Sequence, residues 1–180
     1  MPLKIGDSIA EFGLKGVDDK IHSTSEFADK KILVVIFTCN HCPYAKAYQG
    51  RIMAVQKDYA AKGVQVVAIN SNEDSKYTED SFENMKIRAK EKRFDFPYLR
   101  DESQDVARVY GAKVTPHVFV FDASRKLRYV GAIDDNWENA NAAKRKYLRE
   151  SLDAILSNKE IATTETTPVG CSVKWKGWVK

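Results

Sequence analysis

The chain has 180 residues, 43% of them hydrophobic and 30% charged, and its 29 Lys and Arg against 25 Asp and Glu give a net charge of +4. At this length one core can bury about 70% of the unfolded surface, so several domains are not expected. The longest apolar run, Ile32 to Phe37, falls far short of the ~20 residues of a membrane-spanning helix, and the interleaved charges form no basic stripe, so neither membrane nor nucleic acid is an expected partner.

Along the chain, residues 5–30 carry short alternating pieces around the turn Val17-Asp18-Asp19-Lys20, which predicts an N-terminal hairpin ahead of the main sheet. Ile32 to Phe37 is apolar throughout and rich in β-branched residues, as a central strand covered on both faces should be. From Pro43, helical spacing of Tyr48, Ile52, Val55 and Tyr59 runs to a stop at Lys62-Gly63. Val64 to Ile69 is a second buried strand. Thr78 is an expected N-cap, with Glu79 and Asp80 where the helix dipole favours negative charge, and Phe82, Met85 and Ala89 supply the apolar face. Pro97 to Leu99 is extended. Ser103 to Tyr110 is a helix ending at Gly111, Val118 to Phe121 and Leu127 to Val130 form an antiparallel hairpin, and Leu148, Leu152 and Ile155 mark a last helix. After the first hairpin the order is β-α-β-α-β-α-β-β-α, an α/β architecture with crossover connections. Residues 1–157 form the expected domain. Residues 158–180 are a linker and tail, beginning with the polar stretch Ala162 to Pro168. The opening Met1-Pro2-Leu3-Lys4 has no apolar stretch of the signal-peptide kind, so the cytoplasm is the default expectation, although a removed leader would leave no trace.

Three cysteines are too few for a disulfide scaffold, so their chemistry is local. Cys39-Asn40-His41-Cys42 lies between a buried strand and a helix start, where unpaired N–H groups and the dipole favour a thiolate. Two intervening residues bring both sulfurs to one helix end, which gives a reversible dithiol/disulfide couple. Cys39, at the exposed end of the turn, is the expected nucleophile; Cys42, one turn in, resolves the mixed disulfide. His41, when charged, stabilises the thiolate and makes the disulfide more oxidising.

This C-x-x-C is joined by Val114-Thr115-Pro116 leading into the strand His117 to Phe121, and the combination resembles a thioredoxin fold. The resemblance implies a central mixed sheet flanked by helices, a cis proline at Pro116 lying against the dithiol, and a Thr115 backbone that binds an extended substrate. Phe96-Pro97-Tyr98-Leu99-Arg100-Asp101, Val106 to Gly111 and the N-terminal hairpin narrow the likeness to the redoxin (AhpC/TSA) superfamily, which holds both peroxiredoxins and TlpA/ResA-like thiol-disulfide oxidoreductases. Peroxiredoxins carry a threonine three residues before their reactive cysteine and an arginine where the hairpin strand starts; with Cys42-Pro43 matched to their Cys-Pro, those places hold Cys39 and Pro116. Conversely, Val67 to Glu73 is similar to the strand-plus-glutamate segment of the TlpA/ResA group, which implies a proton-transfer role for Glu73 near the dithiol. The buried aspartate and the tryptophan of thioredoxin itself are replaced by Leu33 and Thr38, so its reduction potential does not transfer.

The leading expectation is a thiol-disulfide oxidoreductase acting on protein or small-molecule disulfides and thiols, with no cofactor and an unidentified upstream reductant. A peroxiredoxin-like thiol peroxidase is the alternative enzyme. A zinc or partner-binding module is a third reading, in which zinc would draw two further ligands from Cys171, His22, His41 or His117. No second closely spaced cysteine pair supports it. Cys171 is either a third redox cysteine or a half-buried small hydrophobe beneath Val173 and Trp175. The segment from Lys174 to Lys180, which mixes cations with Trp175 and Trp178, reads either as a partner contact or as a loosely docked end.

Overall fold

A computed structural model describes residues 1–177. The core is a seven-stranded mixed sheet in the order β2 (Ile21–Ser23), β1 (Gly13–Gly16), β5 (Tyr98–Arg100), β4 (Val64–Asn70), β3 (Ile32–Phe37), β7 (His117–Phe121), β8 (Leu127–Gly131). Its centre is β3 (Ile32–Phe37), parallel to β4 (Val64–Asn70) and antiparallel to β7 (His117–Phe121). All six β3 residues are buried, because helices lie on both faces. Alternate side chains serve opposite cores: Ile32, Val34 and Ile36 meet one, Leu33, Val35 and Phe37 the other.

Three helices cover the first face: α1 (Pro43–Tyr59), which presents Tyr48, Ile52, Val55 and Tyr59, α2 (Phe82–Lys92) with Met85, and α4 (Tyr147–Leu156) with Leu148 and Leu152. The second face is closed by α3 (Asp105–Tyr110), by Phe12 and Phe27, and by Val173 and Trp175 from the C-terminal segment. The predicted elements and their order are present, with shifts at the ends. Gly63 and Gly111 stop their helices in the left-handed conformation, as the pattern requires.

Four features differ from expectation. The hairpin of β1 (Gly13–Gly16) and β2 (Ile21–Ser23) does not stand ahead of the sheet but extends it, through antiparallel pairing of β1 with β5 (Tyr98–Arg100). Helix α2 is capped by Ser81, whose hydroxyl accepts from the Asn84 amide at 3.2 Å, and not by Thr78; residues 78–80 form a separate 3-10 turn that carries Asp80 inward. Two short strands, β6 (Val114–Thr115) and β9 (Cys171–Ser172), pair antiparallel outside the main sheet. The C-terminal segment is not loosely docked: Thr166 ties to β8 (Leu127–Gly131) through Tyr129 and Val130, and residues 173–176 are hydrogen-bonded beyond it. Trp178, Val179 and Lys180 lie outside the described residues.

Leu33 has no exposed surface and lies on the central strand. Leu33→Ala is expected to cost about 2–5 kcal/mol, seen as a lower urea midpoint at unchanged m-value.

Candidate active site

The site forms where β3 ends and α1 begins. Cys42 is itself the N-cap of α1, with Pro43 at the first helical position, where a missing N–H costs nothing. Cys39 lies three residues earlier, so the expected placement is corrected: Cys42 is not one turn into the helix, and Cys39 is not at an exposed end. Cys39 is 3% exposed and Cys42 0%. They pack together with Ala45, under Tyr44 and Cys171.

Thr115 braces both thiols. Its hydroxyl lies 3.2 Å from Cys39 Sγ, and its carbonyl accepts from Cys42 Sγ at 3.4 Å. The Thr115-Pro116 bond is cis. Proline has no N–H to donate and begins the approach to β7 without leaving an orphan donor.

Behind the turn sits Asp80, which is fully buried. Its carboxylate accepts from the Asn40 amide at 2.6 Å, from the side chains of Asn70 and Asn72 at 3.1 Å each, and from His41 Nδ1. Tyr98 donates to Asn40 at 2.7 Å and completes the network. An unpaired carboxylate at such a depth would be costly; four donors make it tolerable. Burial opposes ionisation of Asp80, yet His41, the Asn40 amide and Asn72 hold its carboxyl below the ordinary range. In return the Asp80 hydrogen bond raises the His41 imidazole above its usual value, against burial. His41 also stacks on Tyr77, with ring centres 5.3 Å apart.

The hydrogen bond from Cys39 does most to pull the Cys42 thiol down; burial works against it, and the Cys171 thiol and the amides of Ala45 and Cys171 add to it. Cys39 is pushed up by that same bond, by burial and by the Asp80 charge. Of the two, the Cys42 thiol is the one drawn down, and it sits beside the free N–H groups at the start of α1.

Glu73 does not join this network. Its carboxylate binds the Ser75 hydroxyl and the amides of Ser75 (2.7 Å) and Lys76 (3.0 Å), closing its own loop. The acid that touches the turn is Asp80. A polar run, Asn70-Ser71-Asn72, directly after a buried strand is the sequence signal that a charged partner lies inside. His117 accepts the Lys113 amide at 3.2 Å and is pushed down to about 4 by burial and by Lys113, so it is neutral. His22 is held by Asp18 and Glu26 at the hairpin. Among the described residues, Cys39, His41 and Asp80 offer donor atoms within 4.8 Å of one another. Since Asp80 is committed to four hydrogen bonds, this cluster reads as a polar network rather than a ligand set.

Residues 4–146 match the family model described as Redoxin. The chain belongs to the Redoxin family. This redoxin is 35% identical to a hypothetical protein from Sinorhizobium meliloti 1021, which has a TM-score of 0.92 and is matched over 99% of this chain and 98% of that one. It is 38% identical to an uncharacterized conserved protein from Geobacillus kaustophilus, also with a TM-score of 0.92, over 98% and 94% of the two chains. A putative thiol:disulfide interchange protein DsbE from Chlorobium tepidum shares the fold, with a TM-score of 0.65 and 22% identity over 86% and 99%. A comparison with curated proteins gave no match. The redoxin has the thioredoxin-like fold that its motifs implied, and membership of the family supports a redox role in general.

Two outcomes are expected here. The Asp80 carboxyl titrates low and the His41 imidazole high, so their pairing stabilises the fold fully between about pH 4 and 6.5, the ordinary values of the two groups. It fades as pH falls through the lowered Asp80 value or rises through the raised His41 value. The loss of thermal stability in Asp80→Asn should therefore be greatest near pH ~5.5 and shrink in alkali, followed by Tm against pH. Separately, a Cβ on Gly170 would lie 2.1 Å from the Thr115 carbonyl oxygen. Gly170→Ala should lift the segment covering the thiols; weakening it by ~1.4 kcal/mol opens it about tenfold more often, measured as faster alkylation by iodoacetamide.

Proposed function

We propose that this redoxin is a thiol-disulfide oxidoreductase whose Cys39 and Cys42 exchange a disulfide with protein or small-molecule substrates. The observation that carries this reading is the placement of Cys42 at the N-cap of α1 with the Cys39 thiol beside it and Thr115 bracing both.

In the reductive direction, the Cys42 thiolate attacks one sulfur of a substrate disulfide. A Cys42–substrate bond forms, the substrate S–S bond breaks, and the departing thiolate takes a proton. Cys39 then gives up its proton and attacks Cys42 Sγ, forming the Cys39–Cys42 disulfide and releasing the second substrate thiolate. The substrate gains two electrons and the dithiol loses two. Oxidation of a substrate dithiol is the same sequence reversed. These roles exchange the expected ones; the reading is supported by the seat of Cys42 at the N-cap of α1 and by the downward pull on its thiol, chiefly from the Cys39 hydrogen bond. His41, which the Asp80 hydrogen bond raises above its usual value, adds a positive charge beside that thiolate when protonated.

Peroxidase chemistry is the second reading, favoured by Cys42-Pro43 at the helix start. Against it, Cys39 and Pro116 stand where that chemistry uses threonine and arginine. Rapid thiol-dependent consumption of hydrogen peroxide would promote it.

The test is trapping. Cys39→Ser/Cys171→Ser should accumulate a mixed disulfide on Cys42 when mixed with a disulfide-bonded peptide, and Cys42→Ser should lower the turnover of an insulin-type disulfide by at least roughly 10³-fold, the scale on which losing a nucleophile acts. Trapping on Cys39 in Cys42→Ser, with none on Cys42 in the reciprocal variant, would return the attacking role to Cys39.

A further inference from the structure

The dithiol is buried, yet one further thiol reaches it from the outside. β9 lies antiparallel on β6 with Thr115 opposite Cys171 and Val114 opposite Ser172, and so occupies the open strand edge next to the dithiol. Cys171 packs against the Cys39–Cys42–Ala45 cluster, and its thiol and amide are among the groups that pull the Cys42 thiol down. Unlike the other two cysteines, it is only partly buried.

This placement is held from both sides. Upstream, the Thr166 hydroxyl meets Tyr129 at 2.6 Å and accepts the Ala132 amide at 2.8 Å. Downstream, the Val173 amide donates to the Lys113 carbonyl at 3.0 Å, and Gln104 clamps Lys174 and Lys176 at 2.8 and 2.9 Å. Val173 is buried and Trp175 packs on the second core. Gly170 allows the approach, since any side chain there would meet the Thr115 carbonyl. A segment serving only as a cover needs no cysteine opposite Thr115, packed on the dithiol cluster. A thiol tethered at both ends beside a disulfide sulfur reacts at high effective concentration.

We propose that Cys171 is a third redox residue, to which the disulfide made at Cys39–Cys42 is passed as a Cys42–Cys171 bond. This rests on the dithiol reading above. In the step, the Cys171 thiolate attacks Cys42 Sγ, the Cys39–Cys42 bond breaks, the Cys42–Cys171 bond forms, and Cys39 leaves as a thiolate that takes up the proton Cys171 released. No electrons are gained or lost. The disulfide moves from two buried sulfurs to a bond that includes the partly buried Cys171; an external thiolate attacks Cys171 Sγ, Cys42 leaves as a thiolate beside Cys39, and a second external thiolate removes the mixed disulfide from Cys171.

The experiment uses full-length Cys39→Ser with oxidised glutathione as the probe. The Cys42 thiolate takes one glutathionyl group, and Cys171 then displaces it. Intact mass should show a chain lighter by two hydrogens and free of glutathione, and digestion should join the Cys42 and Cys171 peptides. The Cys39→Ser/Cys171→Ser chain should keep one glutathione on Cys42. A Cys39→Ser chain that keeps glutathione on Cys42 with Cys171 free would overturn the proposal. The wild-type chain gives a check that needs no variant: equilibrated in glutathione buffer, acid-quenched and mapped, it should contain Cys42–Cys171 beside Cys39–Cys42, and the second bond alone would overturn the relay. In Cys171→Ser, failure to form Cys39–Cys42 would overturn the dithiol reading itself.

Discussion

Thr115 is the constraint on which the site depends. Its hydroxyl meets one cysteine, its carbonyl meets a second, and its backbone pairs with the residue that carries the third. Such convergence is available because β6 ends at a proline: the chain leaves the strand there, and the edge beside the dithiol stays open to whatever extended segment comes alongside. The covering strand and the chemistry thus share one residue, and movement of the cover is felt at both sulfurs.

The electrostatics follow from a second constraint, the carboxylate of Asp80 inside the fold. Its charge opposes ionisation of Cys39 and raises the His41 imidazole, so it acts differently on two thiols that are equivalent in sequence. The arrangement is affordable only because Asn40, Asn70 and Asn72 supply donors from two different segments, the turn itself and the end of β4. Loss of any one donor reaches the thiols through Asp80.

Much of the frame was legible in the sequence because β3 and β4 are apolar on both faces and α1 shows helical spacing from Pro43 to Tyr59; these patterns report burial directly. The C-x-x-C turn and Thr115-Pro116 were legible as motifs, and the fold brings them into contact. In the sequence Asp80 reads as an acid favoured by a helix dipole, because nothing local distinguishes that role from burial in a 3-10 turn one step before the true cap at Ser81. Glu73 was placed by resemblance, and a local Ser75–Lys76 turn took its carboxylate first. Strands β6 and β9 have two residues each, too short for any period to show, and their pairing spans more than fifty residues.

The stretch around Glu165 does more than lead to the covering segment. β8 ends the sheet on its far side, and a bare last strand offers amides and carbonyls to any chain that drifts by. Here Val130 donates to the Thr164 carbonyl at 3.0 Å and accepts the Thr166 amide at 3.1 Å, with Glu165 bridged in parallel. The same polypeptide that carries Cys171 to the dithiol thus covers part of this border against lateral stacking of one molecule on the next, through residues 164–166.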